Sequence, residues 1–388
     1  MRIVEVRELT VPLDGAISNA VVNFSSHTVS LVALVTDVIK NGRPVMGLAH
    51  NSIGRFGQSG ILRERMIPRL LSQPAEAFVN EQDGEVDPHK LLRTVLRDEK
   101  PGGHGDRSGA AAALELAAWD LRAKLADEPA YVTIARSFGE RTTFKPVEVY
   151  TGGGYYHAEG SGHTLSNELQ QLKDMGFDSF KIKIGGAPLS TDLKRIESAL
   201  VAAGGGAHLM VDANGRFDRE TALQYAVAMA PYHLRWYEEP GDPLDYALQA
   251  ELAGAYGAAL ATGENLFSHQ DASNLIRYGG MRKGLDIFQM DPGLSYGLTE
   301  FFKMLNKLDT AGFQRSQVIP HGGHLINLHI VTALGLGACE AYPGVFKPFG
   351  GFSNACRIDR RTAFPSDAPG FGLEQKEELA PWIERLLA

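Results

Sequence analysis

Charged residues recur at a nearly constant interval through the second half of this chain. Each follows a short apolar segment, at successive intervals of 29, 26, 26, 27 and 30 residues: Lys183, Asp212, Glu238, Glu264, Asp291 and His321. One strand, one helix and their loops take about that many residues, so the spacing places these side chains at the same height on neighbouring strands. No other feature of the sequence constrains the fold as strongly.

From about residue 146 onward, short apolar strands alternate with helical stretches. The predicted strands are 147–150, 179–184, 208–212, 235–238, 260–262, 285–289, 317–319 and 339–341. The predicted helices are 166–175, 192–202, 219–230, 247–256, 268–278 and 297–311. This alternation indicates βαβ units, and seven or eight units in roughly 200 residues favour a closed barrel over an open sheet. We therefore predict an α/β fold, a modified (β/α)7β TIM-type barrel over residues 129–346.

The first part of the chain has a different pattern. Residues 2–11, 28–37 and 44–49 are predicted antiparallel strands, and residues 110–125 form a strongly helical segment. We expect residues 1–128 to form an α+β capping domain, completed by the C-terminal segment 347–388 packing back on it. Two glycine-rich loops, 50–60 and 100–105, are candidate lids, although simple surface connections explain them equally well.

Composition and charge bear on the class of partner and on the compartment. The formal net charge is −8, which gives no reason to expect nucleic acid or an anionic membrane. The two cysteines, Cys339 and Cys356, form neither a metal spacing nor a disulfide framework, which fits a reducing cytoplasm. The sequence shows neither a signal peptide nor an apolar run of about 18 residues. We expect a cytoplasmic protein without a membrane span.

Three of the spaced residues are carboxylates: Asp212, Glu238 and Glu264. Converging carboxylates repel one another in a poorly hydrated barrel mouth, so a cation is expected among them. Oxygen ligands select a hard ion, Mg²⁺ or Mn²⁺, over zinc. The alternative is three unrelated surface acids, which the equal spacing disfavours.

The strand segment SFKIKIG carries two lysines, Lys181 and Lys183, on the same side. Two lysines that point into a barrel need an anionic site, because a packed apolar core would not hold their charges. Mutual repulsion is expected to lower their pKa values and to make one amine a base near neutral pH. The alternative is a pair of surface lysines whose stems lie along apolar surface.

Asp291 and His321 follow two later strands and are expected on the far side of the mouth. An aspartate behind a histidine fixes its tautomer and raises its basicity, which makes a general acid or base. His324 and His329 offer a transition-metal cluster as an alternative, but the spacing fits no zinc signature. The combined set predicts removal of a proton α to a carboxylate, followed by protonation or by expulsion of a leaving group.

These residues resemble the enolase superfamily, mandelate racemase subgroup, over essentially the whole chain. The resemblance implies that Lys183 is the base and Lys181 its electrostatic partner. It implies that the acids named above hold Mg²⁺: Asp212, Glu238 and Glu264. It also implies an Asp291–His321 dyad, and an acid near the substrate carboxylate at Glu340.

Longer segments resemble the tartrate dehydratase group within this superfamily: NSIGRFGQSG, EKPGGHGDRS, KIKIGGAP, VDANGRF, GDPLDYALQA, TGENLFSHQDA, LSYGL and IPHGGH. This resemblance implies that Lys183 takes the α-proton and that His321 protonates the departing β-hydroxyl, giving oxaloacetate from D-tartrate. A second substrate carboxylate needs cationic or amide partners, for which Asn19, Asn51 and Lys100 are candidates by position.

Other readings stay open from the sequence alone. Another acid-sugar dehydratase uses the same residues, and a racemase or epimerase would use Lys183 and His321 as two bases. A non-catalytic binding module would have lost one of the key residues, and none is missing here. We expect a small dicarboxylate or acid-sugar substrate and, by resemblance, a homo-oligomer.

Overall fold

The computed structural model describes residues 1–15, 17–140, 143–157 and 163–388. Its strands are β1 Ile3–Pro12, β2 Thr28–Lys40, β3 Arg43–His50, β4 Val147–Gly153, β5 Phe180–Lys183, β6 Leu209–Asp212, β7 Trp236–Glu238, β8 Ala259–Thr262, β9 Ile287–Phe288, β10 Cys339–Ala341, β11 Arg357–Asp359 and β12 Thr362–Phe364. Its α-helices are α1 Ser59–Ile61, α2 Ile67–Leu71, α3 Pro88–Val95, α4 Gly105–Leu125, α5 Ala130–Ser137, α6 Leu165–Asp174, α7 Leu189–Ala203, α8 Arg219–Met229, α9 Tyr246–Ala255, α10 His269–Tyr278, α11 Leu298–Ala311, α12 Leu325–Leu334 and α13 Ala380–Leu387. Within the described ranges, no helix has the length and apolar content needed to cross a membrane.

A parallel barrel forms the larger part of the molecule. Strands β4 to β9 pair in parallel in chain order, and β10 returns to pair in parallel with β4. The predicted strand 317–319 is present as a single parallel bridge from Val318 to Phe288. A helix follows each strand position until β10, so the predicted (β/α)7β barrel is confirmed.

The strand register brings the spaced residues together. Lys183 on β5 pairs with Asp212 on β6, which pairs with Glu238 on β7. Lys181 stands two residues deeper on the same strand, level with Met210 and Trp236. Equal spacing along the chain has therefore become equal height in the barrel, at the carboxyl ends of the strands.

The capping domain is built on the antiparallel sheet β1–β2–β3, with α4 packed across β2 and β3. The helix lies very close to β3, because a Cβ atom on Gly47 would fall 2.0 Å from the carbonyl oxygen of Ala117. Glycine therefore permits a contact that any side chain would prevent. Every residue of α4 from Ser108 to Leu121 is buried, so the helix is enclosed on all sides along most of its length.

A buried carboxylate ties the capping domain to the barrel. Glu115 on α4 accepts hydrogen bonds from the backbone N–H groups of Leu298 and Thr299, both at 2.9 Å, at the start of α11. Trp119 Nε1 donates to the same carboxylate at 2.9 Å. Burial raises the pKa of Glu115 to about 7. This side chain caps a helix of the other domain and fixes where α4 meets the barrel.

The C-terminal segment contacts both domains. Strand β12 pairs antiparallel with the start of β4, where Thr362 lies opposite Glu148. Farther along, α13 packs on β1, and Arg7 Nη1 donates to the carbonyl oxygen of Leu386 at 3.3 Å. Segment 347–388 thus returns to the capping domain and also extends the sheet beside the barrel.

Candidate active site

A cavity of about 270 Å³ opens at the carboxyl ends of the barrel strands, beneath the capping domain. Four of the predicted site residues line it: Asn19, Lys183, Glu264 and His321. The remaining walls come from both domains: Val21, Val22, Phe24, Ile53, Gly54, Arg55, Tyr155, Asn214, Gly215, Glu239, Pro243, Asn265, Tyr342 and Phe346. The capping-domain loops therefore close over the groups that the barrel presents.

Both lysines point into the barrel, as predicted. Lys181 is 1% exposed, and its Nζ lies 2.5 Å from Glu238 Oε1 and 3.0 Å from Glu340 Oε1. Lys183 is 7% exposed, and its ammonium donates to Asp212 Oδ2. Each buried ammonium is thus paired with at least one carboxylate.

The lysine pKa values differ from the expectation of mutual depression. Burial alone would lower the pKa of Lys183, but the nearby Asp212 carboxylate outweighs burial and raises it. Burial is likewise outweighed at Lys181, where Glu238 and Glu340 raise the pKa well above its usual value. The physical reason is distance, because each amine lies closer to carboxylates than the sequence could reveal.

The carboxylates at the ends of β6 and β7 are held by further donors. Glu238 Oε2 accepts from Trp236 Nε1 at 2.8 Å and from Gln289 Nε2 at 2.7 Å. The backbone N–H of Asn214 donates to Asp212 Oδ1 at 2.8 Å. Burial, followed by the charge of Asp212, raises the pKa of Glu238 to about 7. Both side chains are therefore fixed in direction before any ligand enters.

A fourth carboxylate, Glu239, was missed by the sequence reasoning. It lines the cavity and has a backbone φ of +37°. Its Oε1 accepts a hydrogen bond from Asn265 Nδ2 at 2.8 Å. Burial, and then the charges of Glu264 and Asp212, raise the pKa of Glu239 well above its usual value. The signal was the second glutamate of RWYEEP, adjacent to the predicted ligand. Carboxylates therefore outnumber nearby cations on this side of the mouth.

The predicted metal ligands do not converge as a ready metal centre. Among the residues that the structure describes, no three His, Cys, Asp or Glu side chains form a group that could hold a metal ion. Two of the predicted ligands are paired with lysines, Glu238 with Lys181 and Asp212 with Lys183. The donors nevertheless fit a hard cation chemically, because they are oxygens with excess negative charge.

The structure brings Asp291 and His321 together. His321 Nδ1 lies 3.0 Å from Asp291 Oδ2, and Asn327 Nδ2 donates to the backbone oxygen of His321 at 2.6 Å. The other ring nitrogen, Nε2, lies 3.4 Å from Tyr342 Oη and 3.7 Å from Glu264 Oε2. Burial would lower the pKa of His321, but Glu264 and Asp291 outweigh burial and raise it to about 9. The raised pKa favours the protonated ring, and Nε2 lies on the side of Glu264 and Tyr342, which line the cavity.

Glu340 lies on β10 beneath the cavity and joins the two sides of the mouth. Its Oε1 contacts Lys181, and its Oε2 accepts from the Gly322 N–H at 3.1 Å and from the Tyr342 hydroxyl at 2.9 Å. Burial would raise the pKa of Glu340, but Lys181 and His321 lower it. It therefore supports the neighbouring groups as an ionised carboxylate.

The structure places the three candidates for a second substrate carboxylate differently. Asn19 lines the cavity, although its Oδ1 accepts from the backbone N–H groups of Val21 and Val22 at 2.8 and 2.6 Å. Asn51 is buried beneath the loop, where its Oδ1 accepts from the Ser30 N–H at 2.7 Å. Lys100 borders a separate cavity of about 420 Å³ beside the start of α10. Only Asn19 is therefore brought to the mouth.

A cation from the capping domain, Arg55, was also missed. It lines the cavity, donates to Asn265 Oδ1 and to the Gly54 oxygen, and stacks 5.5 Å from the centre of the Phe267 ring. The signal was an arginine inside the glycine-rich loop 50–60, between Gly54 and a phenylalanine. A guanidinium held in this way is preorganised for a carboxylate.

Comparison with known proteins now adds to the geometry. The family model described as Enolase C-terminal domain-like matches residues 164–379. An L-talarate/galactarate dehydratase from Salmonella typhimurium is 26% identical over 376 residues, 96% of this chain and 88% of that protein. An arabinonate dehydratase from Saccharolobus solfataricus is 28% identical over 252 residues, 63% of each protein.

The fold comparison agrees with the family match. The structure of an L-talarate dehydratase from Polaromonas sp. JS666, complexed with Mg and L-glucarate, superposes with a TM-score of 0.75 at 23% identity. The superposition covers 97% of this chain and 95% of that one. Because the family model spans more than half of the sequence, this chain belongs to the enolase superfamily, with an Enolase C-terminal domain-like barrel.

Proposed function

We propose that this protein is a hydro-lyase that removes water from a small hydroxy-dicarboxylate, with D-tartrate as the favoured substrate and oxaloacetate as the product. One observation carries the proposal: the Lys183 amine and the His321 imidazole line the same cavity. They come from strand positions three apart around a barrel of eight, so they can address different faces of one small molecule. The dehydratases among the relatives support this reaction class.

The residues divide the reaction between them. Lys183, in its neutral form, takes the proton α to a carboxylate, and the C–H electron pair forms the new C=C bond. His321 gives the proton on Nε2 to the β-hydroxyl, so the C–O bond breaks and water leaves. The enol that remains becomes a keto acid by tautomerisation. Lys181 stays charged and offsets the negative charge that develops nearby.

Mg²⁺ would be held by Asp212, Glu238 and Glu264, as the resemblance implies. Support comes from the oxygen donors, from the crowding of negative charge at Glu239, and from the Mg in the Polaromonas neighbour. When bound, Mg²⁺ would supply positive charge that offsets these carboxylates, lowers the pKa values of the lysines, and stabilises charge developing on the substrate.

The size and lining of the cavity favour a short diacid. Its volume of about 270 Å³ lies below the usual range of about 300–1,000 Å³ for ligand pockets. The capping-domain wall presents the apolar side chains of Val22, Phe24 and Ile53 with a single guanidinium, Arg55. Such a wall suits a second carboxylate at short range better than a long chain of hydroxyl groups.

A screen of acids tests the proposed function. The purified protein with Mg²⁺ would be incubated with the three tartrate stereoisomers, galactarate, L-talarate and arabinonate, and keto-acid formation measured. We expect D-tartrate to give oxaloacetate, chelation by EDTA to stop it, and added Mg²⁺ to restore it. The same incubation in D₂O distinguishes a racemase. Recovered substrate that is inverted and deuterated, without any keto acid, would support the racemase alternative, because Lys183 and His321 on one cavity could also act as two bases.

Substitution of Arg55 should weaken binding of the second carboxylate. Loss of a charged hydrogen bond costs about 1.5–3 kcal/mol, so Arg55→Met should raise KM for D-tartrate roughly 10- to 100-fold. The effect on kcat should be smaller, because Arg55 donates its hydrogen bonds to Gly54 and Asn265 rather than to Lys183 or His321. Steady-state kinetics would measure both parameters.

Lys100 offers the matched control, since it is a cation on the other glycine-rich loop but borders a separate cavity. Lys100→Met should leave KM unchanged. If KM is normal in Arg55→Met and raised in Lys100→Met, Lys100 and not Arg55 binds the second substrate carboxylate.

A further inference from the structure

A capping-domain hydroxyl lies directly behind the dyad. Ser52 follows β3 and is completely buried. Its backbone N–H donates to the Gly293 oxygen at 3.2 Å, and its Oγ lies 3.1 Å from His324 Nε2. Both partners belong to barrel loops that carry the dyad. Ser52 is thus a point where the two domains meet beside the predicted acid.

Two glycines make room for this contact. A Cβ atom on Gly293 would fall 2.7 Å from Ser52 Cβ. A Cβ atom on Gly322 would fall 2.8 Å from Ser52 Oγ and 2.9 Å from Asp291 Oδ2. These distances are shorter than real contacts of Cβ atoms, so only glycine at both positions admits the serine. The close fit indicates a specific contact between the loops.

The hydrogen-bond directions around Ser52 can be assigned. His324 Nδ1 accepts from the Asn327 N–H at 3.4 Å, at the start of α12. Burial lowers the pKa of His324 to about 4, so the ring is neutral and its hydrogen is on Nε2. His324 Nε2 therefore donates to Ser52 Oγ. The serine hydrogen is left for the Asp291 carboxylate, because Ser52 Oγ and Asp291 Oδ2 lie 2.8 and 2.9 Å from the same Cβ position of Gly322. The Ser52 hydroxyl contributes to the lowered pKa of Asp291.

Asp291 consequently receives donors from several directions. They are the Ser52 hydroxyl, the Gly293 N–H at 2.8 Å and His321 Nδ1 at 3.0 Å. A carboxylate with these donors remains ionised and leaves the Nδ1 proton on His321. His321 Nδ1 is thus held by Asp291, and Nε2 lies on the side of Glu264 and Tyr342, two residues that line the cavity.

We propose that Ser52 and His324 are positioning residues that hold the Asp291–His321 pair as a proton donor aimed at the cavity. This inference rests on the proposed dehydration. It implies that water is expelled only while loop 50–54 is seated on the barrel. Removal of the α-proton by Lys183 does not pass through Ser52 and is independent of this seating.

The test separates the two half-reactions in one sample. Ser52→Ala would be incubated with Mg²⁺ and D-tartrate in D₂O, and NMR would follow both α-deuterium exchange and keto-acid formation. Loss of a supporting hydrogen bond typically costs 10- to 100-fold in activity, so keto-acid formation should fall by about that factor. Exchange should stay near the wild-type rate, and KM should be unchanged.

Two further variants alter the contacts of Ser52 through barrel residues. Gly293→Ala forces Ser52 away while keeping its hydroxyl, and His324→Asn keeps a cap acceptor while losing the Nε2 donor. Both should reproduce the selective loss. Ser108→Ala is the matched control, since Ser108 is equally buried but bonds the Gly105 oxygen at 2.7 Å in α4. It should leave both rates unchanged.

Two results would overturn the inference. One is a parallel fall of exchange and keto-acid formation in folded Ser52→Ala. The other is wild-type behaviour of Ser52→Ala, Gly293→Ala and His324→Asn. Melting temperatures identify any variant that is simply unfolded, and the remaining variants then decide. Failure of the proposed function looks different, because the wild-type protein itself would form no keto acid.

Discussion

Lys183→Ala is expected to abolish both α-proton exchange and keto-acid formation. The amine lines the cavity and is the predicted base, and a positioned base typically contributes 10²- to 10⁴-fold to a rate. Because both half-reactions begin with this proton, we expect a loss of roughly 10³-fold or more in each. NMR in D₂O would measure them together, with the acid that the screen identifies.

The fold of this variant must be measured separately. Lys183 donates to the buried Asp212, and its removal leaves Lys181, at 3.7 Å, as the nearest cation to that carboxylate. We therefore expect Lys183→Ala to have a lower melting temperature than the wild-type protein but to keep the folded barrel. Lys173→Ala, which removes an exposed lysine on α6, is the control and should retain activity. Wild-type exchange in folded Lys183→Ala would exclude Lys183 as the base.

His321→Asn is expected to stop the loss of water while α-proton exchange continues. Asparagine can still accept or donate a hydrogen bond near Asp291, but it cannot deliver a proton. General acid catalysis is worth about 10²- to 10⁴-fold, so keto-acid formation should fall by that factor. Exchange depends on Lys183 and should persist, so recovered substrate should carry deuterium with unchanged configuration.

An exposed histidine provides the control for this substitution. His233 lies in the left-handed region with φ of +51°, which asparagine tolerates well, so His233→Asn should keep both activities. An equal loss of exchange and keto-acid formation in folded His321→Asn would contradict a role confined to the acid step. A wild-type enzyme that inverts substrate without releasing water would instead make His321 a second base.

The two expectations differ because the two groups act at different bonds. In the proposed reaction, Lys183 begins the chemistry at the C–H bond, whereas His321 completes it at the C–O bond. Ser52 belongs with His321, since it reaches the dyad and not the lysine. The three substitutions together therefore show whether water loss, unlike proton removal, also depends on a capping-domain residue.

Much of the barrel was predictable because its strands and helices alternate at a regular interval along the sequence. Each β/α unit occupies 26 to 30 residues, so residues at that interval occupy equal heights on neighbouring parallel strands. The pairing of Lys183 with Asp212 and of Asp212 with Glu238 follows from this spacing. The predicted strand 317–319 pairs least, since it is joined to the barrel sheet only by the bridge from Val318 to Phe288.

The capping-domain side of the site was much less predictable. Arg55 reaches the cavity, whereas Asn51 is buried under its own loop and Lys100 lies at a different cavity. Loop residues have no repeating geometry, and their direction depends on contacts with a distant domain. The packing of Gly47 on α4 and the hydrogen bonds of Glu115 to the start of α11 fix how the capping domain meets the barrel. No sequence pattern at either residue predicts these contacts.

The sequence by itself determined the chemistry available at the mouth: two lysines, a row of acids and an Asp–His pair at fixed height. Only the tertiary structure decided how these charges interact. Lys183 has a raised pKa because Asp212 lies against it, and the pKa of His321 is raised to about 9 because Glu264 and Asp291 converge on it. Charge interactions depend on distances of a few ångströms between residues far apart in the chain, and spacing along the sequence cannot supply those distances.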